Sequence, residues 1–295
     1  MCAAIDDGAM AVGRGGDVIE TSRATPLSAV SRWLGLPLRA LVRGTDDVRR
    51  YTWVSGLCLV AMYLMLAGAL AGWLPGWMLP VLIPPVYVRS ALHVHELMHV
   101  RSERQVPWLH RLMMAVESPL TLGYREHRDI HLRHHRYCVT DADPEFFQIK
   151  GGHARAFAAA LISPEWMLVD YVRQHGVSRT FAAEAAVRLI AFLLVCSWNP
   201  AAFAWYWVSL RLAVGVSQYA FHHVLHQRDG EYGTFALRLP PAIERVLGFV
   251  VGAECVHILT QHPAHHVWQV VKPDCLPGVA RALQGVGQNA GQQWT

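Results

Sequence analysis

Between Thr52 and Trp73 the chain carries no charged residue. That run matches the ~20 residues an α-helix needs to cross a ~30 Å hydrocarbon layer, where every backbone polar group must be paired inside the helix. Composition agrees with a lipid setting. Of 295 residues 53% are hydrophobic and 16% charged, with mean hydropathy +0.22, against about a quarter charged in soluble domains.

Leu74-Pro75-Gly76 turns the chain, and Trp77 to about Leu92 runs back, with Pro80, Pro84 and Pro85 expected to kink or delay the helix. Arg89, the single charge in that run, is read as snorkelling toward headgroups. A second apolar pair covers 185–195 and 201–221, turned at 197–200. Neither turn contains Lys or Arg, whereas the flanking segments are rich in Arg. The positive-inside rule then puts the turns outside and both chain ends inside. The expected fold is an all-α integral membrane protein with four transmembrane helices in two hairpins and a cytoplasmic histidine-rich cap. Interfacial helices are expected over 26–50, 107–123 and 154–172.

Residues 1–25 read as a disordered N-terminal extension without the apolar core of a signal peptide. Residues 26–280 read as one membrane domain and 281–295 as a C-terminal tail. The six cysteines form no CxxC pair, which argues against a disulfide framework or a cysteine-rich metal site. The formal charge of +4 is spread in interrupted basic clusters, favouring anionic lipid or an acidic carrier over nucleic acid.

The 17 histidines are not spread evenly. His95 and His99 are four apart at the end of the second apolar run, on one helical face. His131-x-x-His134-His135 and His262-x-x-His265-His266 each repeat an i, i+3, i+4 spacing. A random chain of this composition would contain such an HxxHH pattern about 0.06 times. Eight imidazoles exceed what one zinc takes, four ligands or three and a water, and so imply two metals. Imidazole suits zinc, copper, iron and nickel. His110, His153 and His175 read as ordinary structural histidines. Glu96, Glu126, Asp129, Asp143 and Glu254 are the carboxylates near enough in sequence to orient ligating imidazoles. Arg125, Arg128, Arg133 and Arg136 are expected to hold the central box against anionic headgroups.

His95-Glu-Leu-Met-His99, His131-Leu-Arg-His-His135 and His262-Pro-Ala-His-His266, set among two apolar hairpins, resemble the three histidine boxes of the membrane fatty acid desaturase and hydroxylase superfamily, over about residues 50–275. The resemblance implies a site of two iron ions that uses O2 to remove hydrogen from an unactivated C–H bond, chemistry beyond protein side chains alone. It implies His95 and His99, His131, His134 and His135, and His262, His265 and His266 as metal ligands. A further histidine after the last span is expected, with His226 chosen over His222 and His223. His93, His127 and His257 are left outside the ligand set.

The run Asp141-Ala-Asp-Pro after the second box resembles one in desaturases, which favours desaturation of an acyl chain over hydroxylation. The acyl group could be carried by CoA, a carrier protein, a phospholipid or as free acid. No fused electron donor is visible, so a separate ferredoxin or cytochrome is expected. Two rivals use the same residues. One is an intramembrane zinc metalloprotease, with His95-Glu96-x-x-His99 as its HExxH. The other is a histidine-rich metal transporter, whose ligands would lie near the bilayer midplane.

Overall fold

The computed structural model describes residues 27–116 and 121–289. The extension expected over 1–25 lies outside the described residues. Nearly everything described is helical: α1 (Leu27–Leu34), α2 (Leu38–Leu41), α3 (Thr45–Leu70), α4 (Leu79–Met98), α5 (Trp108–Val116), α6 (Tyr124–Tyr137), α7 (Phe146–Ile149), α8 (His153–Leu161), α9 (Ser163–His175), α10 (Arg179–Trp198), α11 (Pro200–Gln218), α12 (Pro241–Val251), α13 (Ala253–Thr260), α14 (His262–Val267) and α15 (Leu276–Asn289). A π-helical turn, Tyr219–Val224, follows α11, and two residues each of β1 (Gln227–Arg228) and β2 (Glu231–Tyr232) pair antiparallel.

The two expected hairpins are α3/α4 and α10/α11. α3 and α4 pack along each other, and α11 packs on α4. Their shared core includes Leu59, Met62, Leu79, Ile83, Leu97, Tyr206 and Leu210. Among the described residues two helices, α3 and α10, are long and apolar enough to cross a membrane by length and composition. Their outward faces carry bare apolar side chains, among them Trp53, Leu57 and Leu64 on α3 and Leu193, Leu194 and Trp198 on α10. Exposed apolar area on that scale marks a lipid or partner surface.

The prolines of α4 neither break nor end the helix. Pro80 sits in its first turn, where a missing N–H costs nothing, and a short 3-10 turn, Gly76–Met78, leads into it. Pro84 and Pro85 lie inside a helix that runs on to Met98, so His93, His95 and His99 project from one continuous element and its C-cap. The stretch 154–172 is two helices, α8 and α9, divided at Ile162. Pro164 explains the break, because a proline suits a helix start and not its interior.

The N-terminal segment folds back over the C-terminal one. Val42 and Val271 form an antiparallel bridge, with Arg43 N–H donating to Val270 O at 3.1 Å and Lys272 N–H to Leu41 O at 2.9 Å. Val30 of α1 packs with Ala264, Trp268, Leu276 and Val279 in one buried cluster. The amphipathic pattern of residues 26–50 thus finds its apolar partner in α15.

Candidate metal centre

α4, α6, the turn after α11, and α14 converge at one end of the hairpins and bring together the nine histidines expected as ligands. They divide into two clusters. In the first, Nε2 of His131 lies 3.0 Å from Nε2 of His99 and 3.1 Å from Nε2 of His135. One ligand nitrogen each of His95, His99, His135 and His265 lies within 4.8 Å of the others. In the second, Nε2 of His226 lies 3.2 Å from Nε2 of both His262 and His266, and His134 joins His226 and His266 within the same 4.8 Å limit.

Each HxxHH box serves both clusters, in opposite ways. From α6, the i, i+4 pair His131 and His135 faces the first cluster while His134 faces the second. From α14, the i, i+4 pair His262 and His266 faces the second while His265 faces the first. Residues four apart share a helical face, and the third member is rotated about 60° from one of them and about 100° from the other, so one short helix can reach two points.

Three of these imidazoles have their tautomer fixed from behind. His134 Nδ1–H donates to Asp143 Oδ2 at 2.9 Å, and His95 Nδ1–H to Glu96 Oε1 at 3.1 Å. His226 Nδ1–H donates to the carbonyls of Phe221 and His222, both at 3.0 Å. In each case Nε2 is left as a lone pair aimed inward, the arrangement by which carboxylates and carbonyls orient metal-bound histidine. Asp143 itself is held by the backbone N–H groups of Val139 and Glu145.

The electrostatics suit a cation. Burial, then neighbouring imidazoles, hold His131, His135, His262 and His266 well below the usual histidine range, and burial does the same for His265. These rings are therefore neutral and able to ligate. His265 is fully buried and neither ring nitrogen has a hydrogen-bond partner. A neutral imidazole offers one donor and one acceptor, so facing Nε2 atoms cannot all satisfy one another. Metal ions among them would use the lone pairs, and the donor set fits two.

Glu145 is the acidic residue that motif reading missed. It is buried, its Oε1 lies 3.5 Å from His222 Nε2 and its Oε2 3.8 Å from His134 Nδ1. Burial pushes its carboxyl up to about 7, with His134 opposing and Asp143 adding to the rise. It follows Asp141-Ala-Asp-Pro directly, and that position was the only available signal. Of the other carboxylates, Glu254 sits on His93 at 3.4 Å. Glu126 lies beside Gly123 and Glu184, and Asp129 is exposed. His222 stands behind the second cluster, stacked on His226 with ring centres 6.3 Å apart. His223 points the other way, donating from Nδ1 to Ile149 O at 2.8 Å. The Cys138 sulfur also lies within 4.8 Å of the second cluster's nitrogens. Burial, Asp143 and Glu145 push that thiol up, which disfavours the thiolate a metal would need.

The arginines of α6 are engaged by the protein. Arg125 pairs with Glu103 at 3.1 Å, Arg128 donates to Val100 O at 2.7 Å and Arg133 to Gln174 at 3.3 Å. The Arg125 side chain is still 42% exposed and the Arg133 contact lies at the surface, so both also face outward.

The chain thus combines two apolar helices of membrane-crossing length with buried histidine clusters that could hold metal. The sequence profile described as "Fatty acid desaturase" matches residues 71–291, and the chain belongs to the fatty acid desaturase family. Membership implies an enzyme of the desaturase or hydroxylase type acting on a lipid or acyl substrate. No curated protein and no solved structure matches the chain.

Proposed function

We propose that the chain is an O2-dependent di-iron desaturase that introduces a double bond into an acyl chain, embedded by four helices in two hairpins with its site and both ends on the cytoplasmic side. The observation that carries this reading is the division of nine histidines into two buried clusters, each fed by both HxxHH boxes. His95, His99, His131, His135 and His265 would hold one iron, and His134, His226, His262 and His266 the other. Two bound irons supply the oxidising power to activate O2 and take hydrogen from an unactivated C–H bond.

The chain's own residues do the rest. Asp143, Glu96 and the carbonyls beneath His226 keep Nδ1 protonated and Nε2 inward. Electrons come from a separate ferredoxin or cytochrome. Hydroxylation of an acyl or hydrocarbon chain on the same scaffold is the second reading, because both outcomes start from the same hydrogen abstraction.

The metalloprotease reading loses support from the surroundings of Glu96. A general base must be free to take a proton from water, whereas Glu96 is paired to Arg43 at 2.5 Å and accepts from His95. The transporter reading is disfavoured by the gathering of ligands at helix ends.

Metal analysis of the purified protein tests the proposal. Two irons per chain are expected, and a single zinc without iron would overturn it. Mass spectrometry of lipids from an expressing host then separates loss of two hydrogens from gain of one oxygen.

A further inference from the structure

Arg43 stands outside the stretch that defines the family, which begins at residue 71, yet its side chain ends at the metal site. Its side chain is 4% exposed and that of Glu96 1%. Arg43 Nε donates to Glu96 Oε2 at 2.7 Å, and Nη2 lies 2.5 Å from the same oxygen. Arg43 Nη1 donates to the carbonyl of Gln269, just beyond the third histidine box. The other carboxylate oxygen of Glu96 receives His95 Nδ1–H.

We propose that Arg43 is a positioning residue for the metal site: by fixing Glu96 it sets the ring of His95 and aims His95 Nε2 into the first cluster. The inference rests on the metal-binding reading of these histidines and deepens it. A glutamate beside a ligating histidine can rotate or turn to another donor. The charge-assisted hydrogen bond from Arg43 to one carboxylate oxygen, with His95 on the other, restricts that freedom. The burial of both charges makes the pair sensitive to loss of either partner.

Arg43 is itself delivered by the strap. The Val42–Val271 bridge, with its flanking hydrogen bonds, and the packing of Val30 against Leu276 and Val279 fix the backbone on either side. Through the Gln269 carbonyl the same guanidinium ties the first box to the segment after the third. One residue from the N-terminal segment thus joins two boxes that lie more than 160 positions apart in sequence.

The test compares iron-loaded wild type with Arg43→Gln, Arg43→Lys, Glu96→Gln and the double variant Arg43→Gln/Glu96→Gln, all purified in detergent. The double variant leaves no unpaired buried charge, so it keeps the test open if either single change impairs folding. Two readouts are taken: the rate of iron release to a chelator, and the Mössbauer spectrum. Arg43→Gln should release one iron about 10-fold faster or more, the scale found when a metal-bound histidine loses its orienting partner, and should alter the spectrum of one iron only. Arg43→Lys should restore part of the loss. The double variant should match Glu96→Gln, because Arg43 acts through that carboxylate. Wild-type release and spectrum in Arg43→Gln would overturn the proposal. So would equal disturbance of both irons alongside a lower melting temperature, which marks a merely structural role. A wild type holding one zinc would instead overturn the di-iron reading, and the same release comparison would still decide on Arg43.

Discussion

The imidazoles of His135 and His266 stand 4.1 Å apart, centre to centre, yet they belong to different histidine clusters. His135 faces His131 at 3.1 Å, and His266 faces His226 at 3.2 Å. Two centres built around such a contact share walls, so damage to one is expected to reach the other.

His134→Ala and His265→Ala each remove the lone contribution of one box to one cluster. Both should abolish O2- and reductant-dependent turnover, with at least a ~100-fold fall, and lower the iron content per chain. Metal analysis with a turnover assay checks this. Full activity in either variant would refute the ligand assignment.

Asp143→Asn keeps the size of the side chain and weakens the acceptor beneath His134. Partners of that kind are worth about 10–100-fold in metal affinity or activity. Chelator competition should show the loss at the second cluster, while Asp129→Asn, at an exposed position, should leave affinity at the wild-type level.

His226 and His222 should separate cleanly. His226 has its Nδ1–H held by two carbonyls and its Nε2 among His262 and His266, whereas His222 faces Glu145. His226→Ala is expected to lose iron and His222→Ala to keep it. The reverse result would exchange their roles.

Removing the metal should make stability depend on pH in a definite direction. In the folded chain His131, His135, His265 and His266 have pKa values well below 6.5, their ordinary value. The unfolded chain therefore binds more protons as pH drops, and stability falls with it. Iron-free protein should lose melting temperature as pH falls through about 6.5 and continue to lose it below. The iron-loaded form should melt higher, because metal binds the folded state. A flat profile for the iron-free form would show that these rings are not buried and neutral.

Gly215→Ala tests the packing of α11 on α8. A Cβ there would press on the Leu161 side chain, 3.0 Å from its Cγ, while Leu161 Cα stays at ordinary contact distance, 3.6 Å, so the leucine side chain has to turn away. Overpacking of this kind costs about 1–3 kcal/mol. A thermal melt in detergent should show the drop. A melting temperature at or above wild type would mean that the two helices have room to part.

Much of this was legible in the residues. Uncharged runs and their intervening turns marked α3, α4, α10 and α11 as long apolar helices, of which α3 and α10 have the length and composition to cross a membrane. The histidine spacing marked eight ligand candidates, since a metal centre needs several imidazoles on shared faces, and the family resemblance supplied the ninth, His226. The continuity of α4 through Pro84 and Pro85 was not legible, because packing against α3 and α11 decides whether a proline-bearing helix holds together. The partners of Arg125, Arg128 and Arg133 were not legible either, because charge alone does not say whether a protein group or a headgroup lies nearest.

The sequence alone determined that this chain is helical and lipid-adapted and that its histidines come in three boxes, because periodicity and composition are local properties of the chain. Only the tertiary structure decided how those boxes are shared. His131 and His135 part from His134, His265 parts from His262 and His266, and Arg43 reaches Glu96 from the far end of the chain. Those pairings depend on helix rotation and on contacts between segments distant in sequence, and no local pattern encodes them.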